Sequence, residues 1–176
     1  GDIMDYYSES VLYNRELCKK YHYSTAHFYD KKPYIYHLDM VYEVAYKYKH
    51  LLPERYTELV FIACYTHDLI EDCRFTYHDV RRQFGSIVAE ITYAVSNEKG
   101  KTRKERANEK YYDGIRNTQY ATFVKLCDRI ANVRHSKDTK GHSKFEMYKD
   151  EHKYFSDMLY SEEYKEMWDE LDELLS

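Results

Sequence analysis

Leu59-Val60-Phe61-Ile62-Ala63-Cys64-Tyr65 runs directly into Thr66-His67-Asp68-Leu69-Ile70-Glu71-Asp72. An almost wholly apolar stretch thus becomes, without a turn residue, a cluster of four ionisable side chains: His67, Asp68, Glu71 and Asp72. The spacing predicts one helix through both halves. On such a helix His67 and Glu71, four apart, share a face, and Asp68 and Asp72 repeat the pair about 100° around it. Three carboxylates in so small a volume repel one another unless a cation or an acid–base role holds them there. A solvated acidic helix end is the plain alternative, but the apolar run before it predicts a buried helix.

Helical periodicity extends outward in both directions. Residues 5–24, 33–48, 86–95, 104–116 and 122–135 are expected to be helical, with two more helices closing the chain at Leu175. Pro33 is placed to open the second of these, after a polar stretch over residues 27–32. Leu51-Leu52-Pro53 breaks the chain before the apolar helix. Thr76-Tyr77-His78-Asp79 has the form of a capping box, and Gly85 ends the short helix that follows. A polar loop is expected through Gly141-His142-Ser143. Only 5 Gly and 2 Pro stand against 22 Tyr. So few turn-formers argue against a sandwich, a barrel or a disordered chain, leaving an all-α architecture. No linker or repeat divides residues 1–176, so one domain is expected, with a motif core over about 21–135 and a helical extension over 143–176.

Charged residues make up 33% of the chain and the formal net charge is −4, a balance that gives no general pull toward nucleic acid or membrane. No apolar run approaches the roughly 20 residues of a membrane span. The acidic, aromatic start over residues 1–10 does not read as a signal peptide. Cys18, Cys64, Cys73 and Cys127 form no C-x-x-C pair and read as buried, reduced thiols of a cytoplasmic protein. Tyr42, Tyr46, Tyr93 and Tyr148 are expected in the core or at its margin. Tyr34, Tyr36, Tyr111 and Tyr112 lie where a nucleotide base could stack.

Two further segments carry chemistry. His37 sits early in a predicted helix, where a lone histidine is usually a packing or capping residue. Asp128 and Asn132 share a face of the otherwise apolar helix over 122–135. An unpaired buried Asp128 would cost several kcal/mol, so it calls for a metal or a strong donor. Together His37, His67, Asp68 and Asp128 supply two nitrogens and two oxygens. That set suits Mn²⁺, Fe²⁺ or Zn²⁺ better than Mg²⁺. Such a site acidifies bound water, and Glu71 and Asp72 are placed to orient that water or move its proton, unless they are ligands themselves. Lys31 and Lys32, shortly before His37, are expected phosphate contacts. Residues 99–106 are rich in Lys and Arg and read as a solvated loop. The alternative is a basic cover over the mouth of the site.

Four strings carry a family resemblance. They are Pro33-Tyr34-Ile35-x-His37, His67-Asp68-x-x-Glu71-Asp72, Phe84-Gly85-x-x-Val88 and Lys125-Leu126-x-Asp128-Arg129-x-x-Asn132-x-Arg134. They resemble the HD-domain metal-dependent phosphohydrolases, and within them the hydrolase domain of the RelA/SpoT group. The resemblance implies an HD-domain helical bundle and Mn²⁺ held by His37, His67, Asp68 and Asp128. It also implies Glu71 and Asp72 as the catalytic acidic pair, and Asn132 and Arg134 as nucleotide contacts. The implied reaction removes the 3′-pyrophosphate of ppGpp or pppGpp, a small-molecule nucleotide. The chain departs from the group in carrying Asp30-Lys31-Lys32 in a shortened loop where an Arg-Lys pair is usual, and Leu38 after the first histidine where Pro is common. The same machinery acting on another nucleotide, and a non-catalytic nucleotide-binding module, are the two alternatives.

Overall fold

In the computed structural model, which describes residues 6–139 and 142–176, local sequence signals account for most helix boundaries. Helix α1 (Glu9–Ser24) starts where the Ser8 hydroxyl accepts the Val11 N–H at 3.1 Å. Strands β1 (Phe28–Tyr29) and β2 (Lys32–Pro33) then pair antiparallel, Phe28 opposite Pro33 and Tyr29 opposite Lys32. Pro33 therefore belongs to a hairpin and does not open a helix. The reason is the two-residue turn at Asp30 and Lys31, both at positive φ (46° and 68°), which suits a tight hairpin. Helix α2 (Ile35–Lys47) follows, and a 3₁₀ turn (Lys49–Leu51) leads to extended Pro53 and helix α3 (Glu54–Thr66).

The decisive stretch is not one continuous helix. Helix α3 stops at Thr66, His67 and Asp68 form a turn, and a short α4 (Leu69–Asp72) resumes. The His67 ring takes up the Cys64 carbonyl at 2.7 Å, the group that a continuing helix would offer to the Asp68 N–H. The capping box is present as read: Asp79 N–H donates to the Thr76 hydroxyl at 3.1 Å, and Thr76 N–H to the Asp79 carboxylate at 2.9 Å. It opens α5 (Tyr77–Phe84), which Gly85 separates from α6 (Ser86–Ala94) at φ 92°, a conformation that favours glycine.

The helix expected over 104–116 is two, α7 (Arg103–Arg106) and α8 (Glu109–Arg116). The break comes where the Asn108 side chain accepts the Tyr111 N–H and starts a new helix. Helices α9 (Ala121–Asp138), α10 (His142–Leu159) and α11 (Lys165–Leu174), with a 3₁₀ turn (Glu162–Tyr164) between the last two, complete the chain. Of the expected polar loop at Gly141-His142-Ser143, Gly141 lies outside the described residues, as do residues 1–5 of the N-terminal stretch; positions 142 and 143 are helical.

Helix α9 is the central post, packing against α2, α3, α10 and α11. The largest fully buried side chains, including Tyr42, Tyr65, Phe123, Phe155 and Trp168, belong to one contiguous apolar cluster. Tyr42 and Tyr148 are buried and Tyr46 is partly so, but Tyr93 is 61% exposed. Tyr93 stands on the outer side of α6, edge-on to Tyr77 at 5.7 Å. Tyr111 and Tyr112 are largely buried in the core, and the Tyr111 hydroxyl donates to the Val95 carbonyl at 3.1 Å. All four cysteines are buried and unpaired by disulfides. Among the described residues no helix is long and apolar enough to cross a membrane.

Helix α11 is fastened to the rest through Glu170. Its carboxylate accepts from Lys47 at 2.9 Å, from Arg134 Nε at 2.7 Å and from the Tyr48 hydroxyl. Burial works against that charge, but Tyr48, Lys47 and Arg134 hold the carboxyl below its usual range. A depressed pKa contributes stability above the unfolded value of about 4.3, and the contribution is lost as pH falls through the folded value. Glu170→Gln is therefore expected to lower the unfolding free energy by about 1–3 kcal/mol at pH 7. In urea titrations the gap between variant and parent closes below about pH 4.

Candidate functional site

Three elements converge on one point. Helix α2 brings His37 in its first turn, the turn after α3 brings His67 and Asp68, and the middle of α9 brings Asp128. His37 Nε2 is 3.0 Å from Asp128 Oδ1, and His67 Nε2 is 3.3 Å from the same oxygen and 3.0 Å from Asp68 Oδ2. His37, His67 and Asp128 each offer one ligand atom, all within 4.8 Å of one another. Two donors about 2.1 Å from a common ion, at roughly 90–110°, stand about 3.0–3.4 Å apart, so these spacings are those of neighbouring ligands. A carbonyl can only accept, so the bond to Cys64 places a hydrogen on His67 Nδ1. That leaves Nε2, buried and without a hydrogen-bond partner, as the end directed at the carboxylates. The donor set and this orphaned nitrogen fit a divalent cation.

The electrostatics agree. Burial disfavours a charged His67, yet Asp68 and Asp128 pull its pKa well above the ordinary value. The ring's inner end attracts positive charge, whether a proton or a metal. Against the same burial, His67 holds Asp68 down to about 2, and His37 and His67 hold Asp128 well below the carboxylate range. Burial, reinforced by Asp68, moves the other two carboxyls the opposite way: Glu71 is raised and Asp72 is pushed up to about 7.

Above the cluster lies a cavity of 170 Å³ lined by Glu71, Lys125, Arg129, Arg103, Asn132 and Tyr148, among others. It shares Asn97, Arg103, Lys125 and Arg129 with an adjoining groove of 570 Å³. Only the groove reaches the few hundred cubic ångströms typical of an organic ligand site; the cavity is of a size for a smaller charged group. Glu71 accepts the Asn97 backbone N–H through Oε1. Asn132 donates to Asp128 Oδ1 at 3.2 Å and accepts the Tyr29 hydroxyl at 2.7 Å, so it orients the carboxylate it faces. The Tyr34 hydroxyl donates to Asp68 Oδ2.

The structure brings His37, His67, Asp68, Asp128, Glu71 and Asn132 together. It places the other expected residues elsewhere. Asp72 points away from the cavity, its Oδ2 3.6 Å from His27 Nδ1. Lys31 and Lys32 are exposed on the hairpin, and Lys32 Nζ lies 4.0 Å above the Tyr36 ring. Arg134, about 200° around α9 from Asn132, pairs with Glu170.

Three basic residues face the cavity: Lys125 and Arg129, to which the sequence assigns no role, and Arg103, from the basic segment that could cover the mouth of the site. Lys125 is a largely buried ammonium with Nζ 3.6 Å from Asp128 Oδ2. Burial opposes its charge, but Tyr111 and Asp128 raise its pKa. Arg129 and Arg103 share Glu151, at 2.8 Å from Arg129 Nη1. Lys125 was readable, since 125, 128 and 132 form one helical stripe. Arg103 makes part of the basic segment a wall of the cavity, not a freely solvated loop.

No family model matches the chain. It is 29% identical over 77 residues to guanosine-3′,5′-bis(diphosphate) 3′-pyrophosphohydrolase MESH1 of Drosophila melanogaster, covering 44% of this chain and 43% of that protein. To the protein of the same name from Danio rerio it is 31% identical over 75 residues, covering 43% and 42%. The matched stretch thus spans less than half the length of these curated relatives. Among solved structures, a metazoan ortholog of SpoT described as hydrolysing ppGpp superposes with a TM-score of 0.72 at 20% identity, over 96% of this chain and 94% of that one. The chain thus resembles the HD-domain ppGpp hydrolases in sequence and has the all-helical HD-domain fold of that SpoT ortholog.

Proposed function

We propose that this protein is a divalent-metal-dependent phosphohydrolase that removes the 3′-pyrophosphate of ppGpp or pppGpp. The observation that carries the reading is the convergence of His37, His67 and Asp128 ligand atoms within 4.8 Å of one another at a cavity holding Glu71 and the buried cations Lys125 and Arg129. The relatives' named activity supplies the substrate.

His37, His67, Asp68 and Asp128 would hold a cation, Mn²⁺ preferred and Fe²⁺ or Zn²⁺ as alternatives, which would supply Lewis acidity toward a phosphoryl oxygen and acidify water. The chain's own residues do the rest. Glu71, with its pKa raised by burial and Asp68, accepts the proton of the attacking water. Lys125, Arg129 and Arg103 hold the phosphoryl oxygens as negative charge builds on them. Asn132 fixes the rotamer of Asp128. The nucleoside takes the adjoining groove, lined by Tyr111, Tyr112 and Tyr154 beside Lys104 and Arg106. Asp72 stands outside the cavity lining, so proton transfer falls to Glu71 alone.

A nucleotide panel tests this: ppGpp, pppGpp, a deoxynucleoside triphosphate, a nucleoside monophosphate, NADPH and a cyclic nucleotide, each with Mn²⁺ and with EDTA. The expected result is GDP and pyrophosphate from ppGpp, abolished by EDTA. Persistence of ppGpp while another nucleotide is consumed overturns the substrate assignment.

A further inference from the structure

Outside the cavity a second constellation faces the other side of Asp72. His22, in the last turn of α1, is 1% exposed. The chain folds back immediately after it: His27 N–H donates to the His22 carbonyl at 3.0 Å, and the Thr25 hydroxyl donates to the same oxygen at 3.1 Å. This return sets His27 Nδ1 3.1 Å from His22 Nδ1 and 3.6 Å from Asp72 Oδ2. His22, His27 and Asp72 each offer one ligand atom, and these lie within 4.8 Å of one another.

Hydrogen bonding alone does not account for the cluster. The two imidazoles face each other through like nitrogens, so a single hydrogen serves both. Asp72 Oδ2 stands beyond good hydrogen-bonding distance of His27. These separations are instead close to the roughly 3.0–3.4 Å expected between neighbouring ligands of one ion.

We propose that His22, His27 and Asp72 form a second cation site for a borderline divalent transition metal of the Zn²⁺ type. Two imidazole nitrogens and one carboxylate disfavour Mg²⁺ and Ca²⁺, which take oxygen ligands. The site is separate from the first but mechanically joined to it. The Tyr34 ring stacks on His27 at 4.0 Å and on His22 at 4.5 Å, and its hydroxyl holds Asp68. An ion here offsets the charge of Asp72 beside Asp68 and Glu71 and fixes the platform on which Tyr34 rests.

The test is equilibrium dialysis of the full chain against Zn²⁺ buffered with a competing chelator, with bound metal counted by mass spectrometry. His27→Gln is the first variant, since His27 is partly exposed, with circular dichroism as the fold control; Asp72→Asn replaces it should His27→Gln misfold. The expected result is one Zn²⁺ fewer per chain than in the parent protein. Equal stoichiometry in parent and variant overturns the proposal. Asp128→Ala, run in parallel, reports on the first site independently: it removes one equivalent if that site binds metal and none if it does not, whatever His27→Gln does.

Discussion

Replacing Asp128 with alanine is expected to cut Mn²⁺-dependent ppGpp hydrolysis by a factor on the order of a thousand or more. Asp128 Oδ1 is the one atom that both histidines address, at 3.0 Å from His37 and 3.3 Å from His67. Its removal takes away a ligand, the acceptor of Asn132 and the counter-ion of Lys125 together. Lys125, a buried cation held charged by Tyr111 and Asp128, is then left unbalanced, so the cavity loses its charge pattern as well as metal affinity. Product release followed by chromatography, with bound metal measured on the same sample, separates these effects. Retention of metal and of more than about a tenth of the parent rate would remove Asp128 from the ligand set.

Glu71→Gln is expected to lower kcat by about 10²- to 10⁴-fold, the usual contribution of a positioned proton acceptor. Glutamine has the same shape and can still accept the Asn97 N–H, so the loop at Asn97 keeps its anchor. Metal content is expected to stay at the parent level, because Glu71 is outside the set of close ligand atoms formed by His37, His67 and Asp128. This separates the two roles that the sequence leaves open for Glu71. Loss of metal along with activity would make it a ligand. Loss of activity alone makes it the base.

What could be read in advance follows from how local each signal is. The capping box at Thr76 and Asp79, the turn at Gly85 and the apolar stripes of α2, α3 and α9 depend on neighbours three or four residues away, and periodicity shows them. The convergence of His37, His67, Asp68 and Asp128 was legible because buried polar residues in apolar segments must be satisfied by one another. What the sequence does not show is long-range. Arg134 is held by Glu170, 36 residues later, and nothing near it in sequence forecasts that pairing. The resemblance pairs Asp72 with Glu71, yet consecutive helical residues diverge by about 100°, and the break at His67 and Asp68 turns the two toward different neighbours. Lys31 and Lys32 are close to His37 in sequence. The hairpin turn then pointed them into solvent.

Cys64, whose carbonyl fixes His67, and Cys127, next to Asp128, are two buried sulfurs beside the ligands and hydrogen-bonded to each other. As thiolates they would be the softest donors nearby and would favour Cu⁺ or a sulfur-bound Zn²⁺. Burial raises the Cys127 pKa well above its ordinary value, the bond to Cys64 raises it further, and the negative charge of Asp128 adds to both. On the proposed function, the carboxylate that would draw a cation into the site also helps keep the adjacent sulfur protonated, so metal preference would be set by withholding ligands as much as by supplying them.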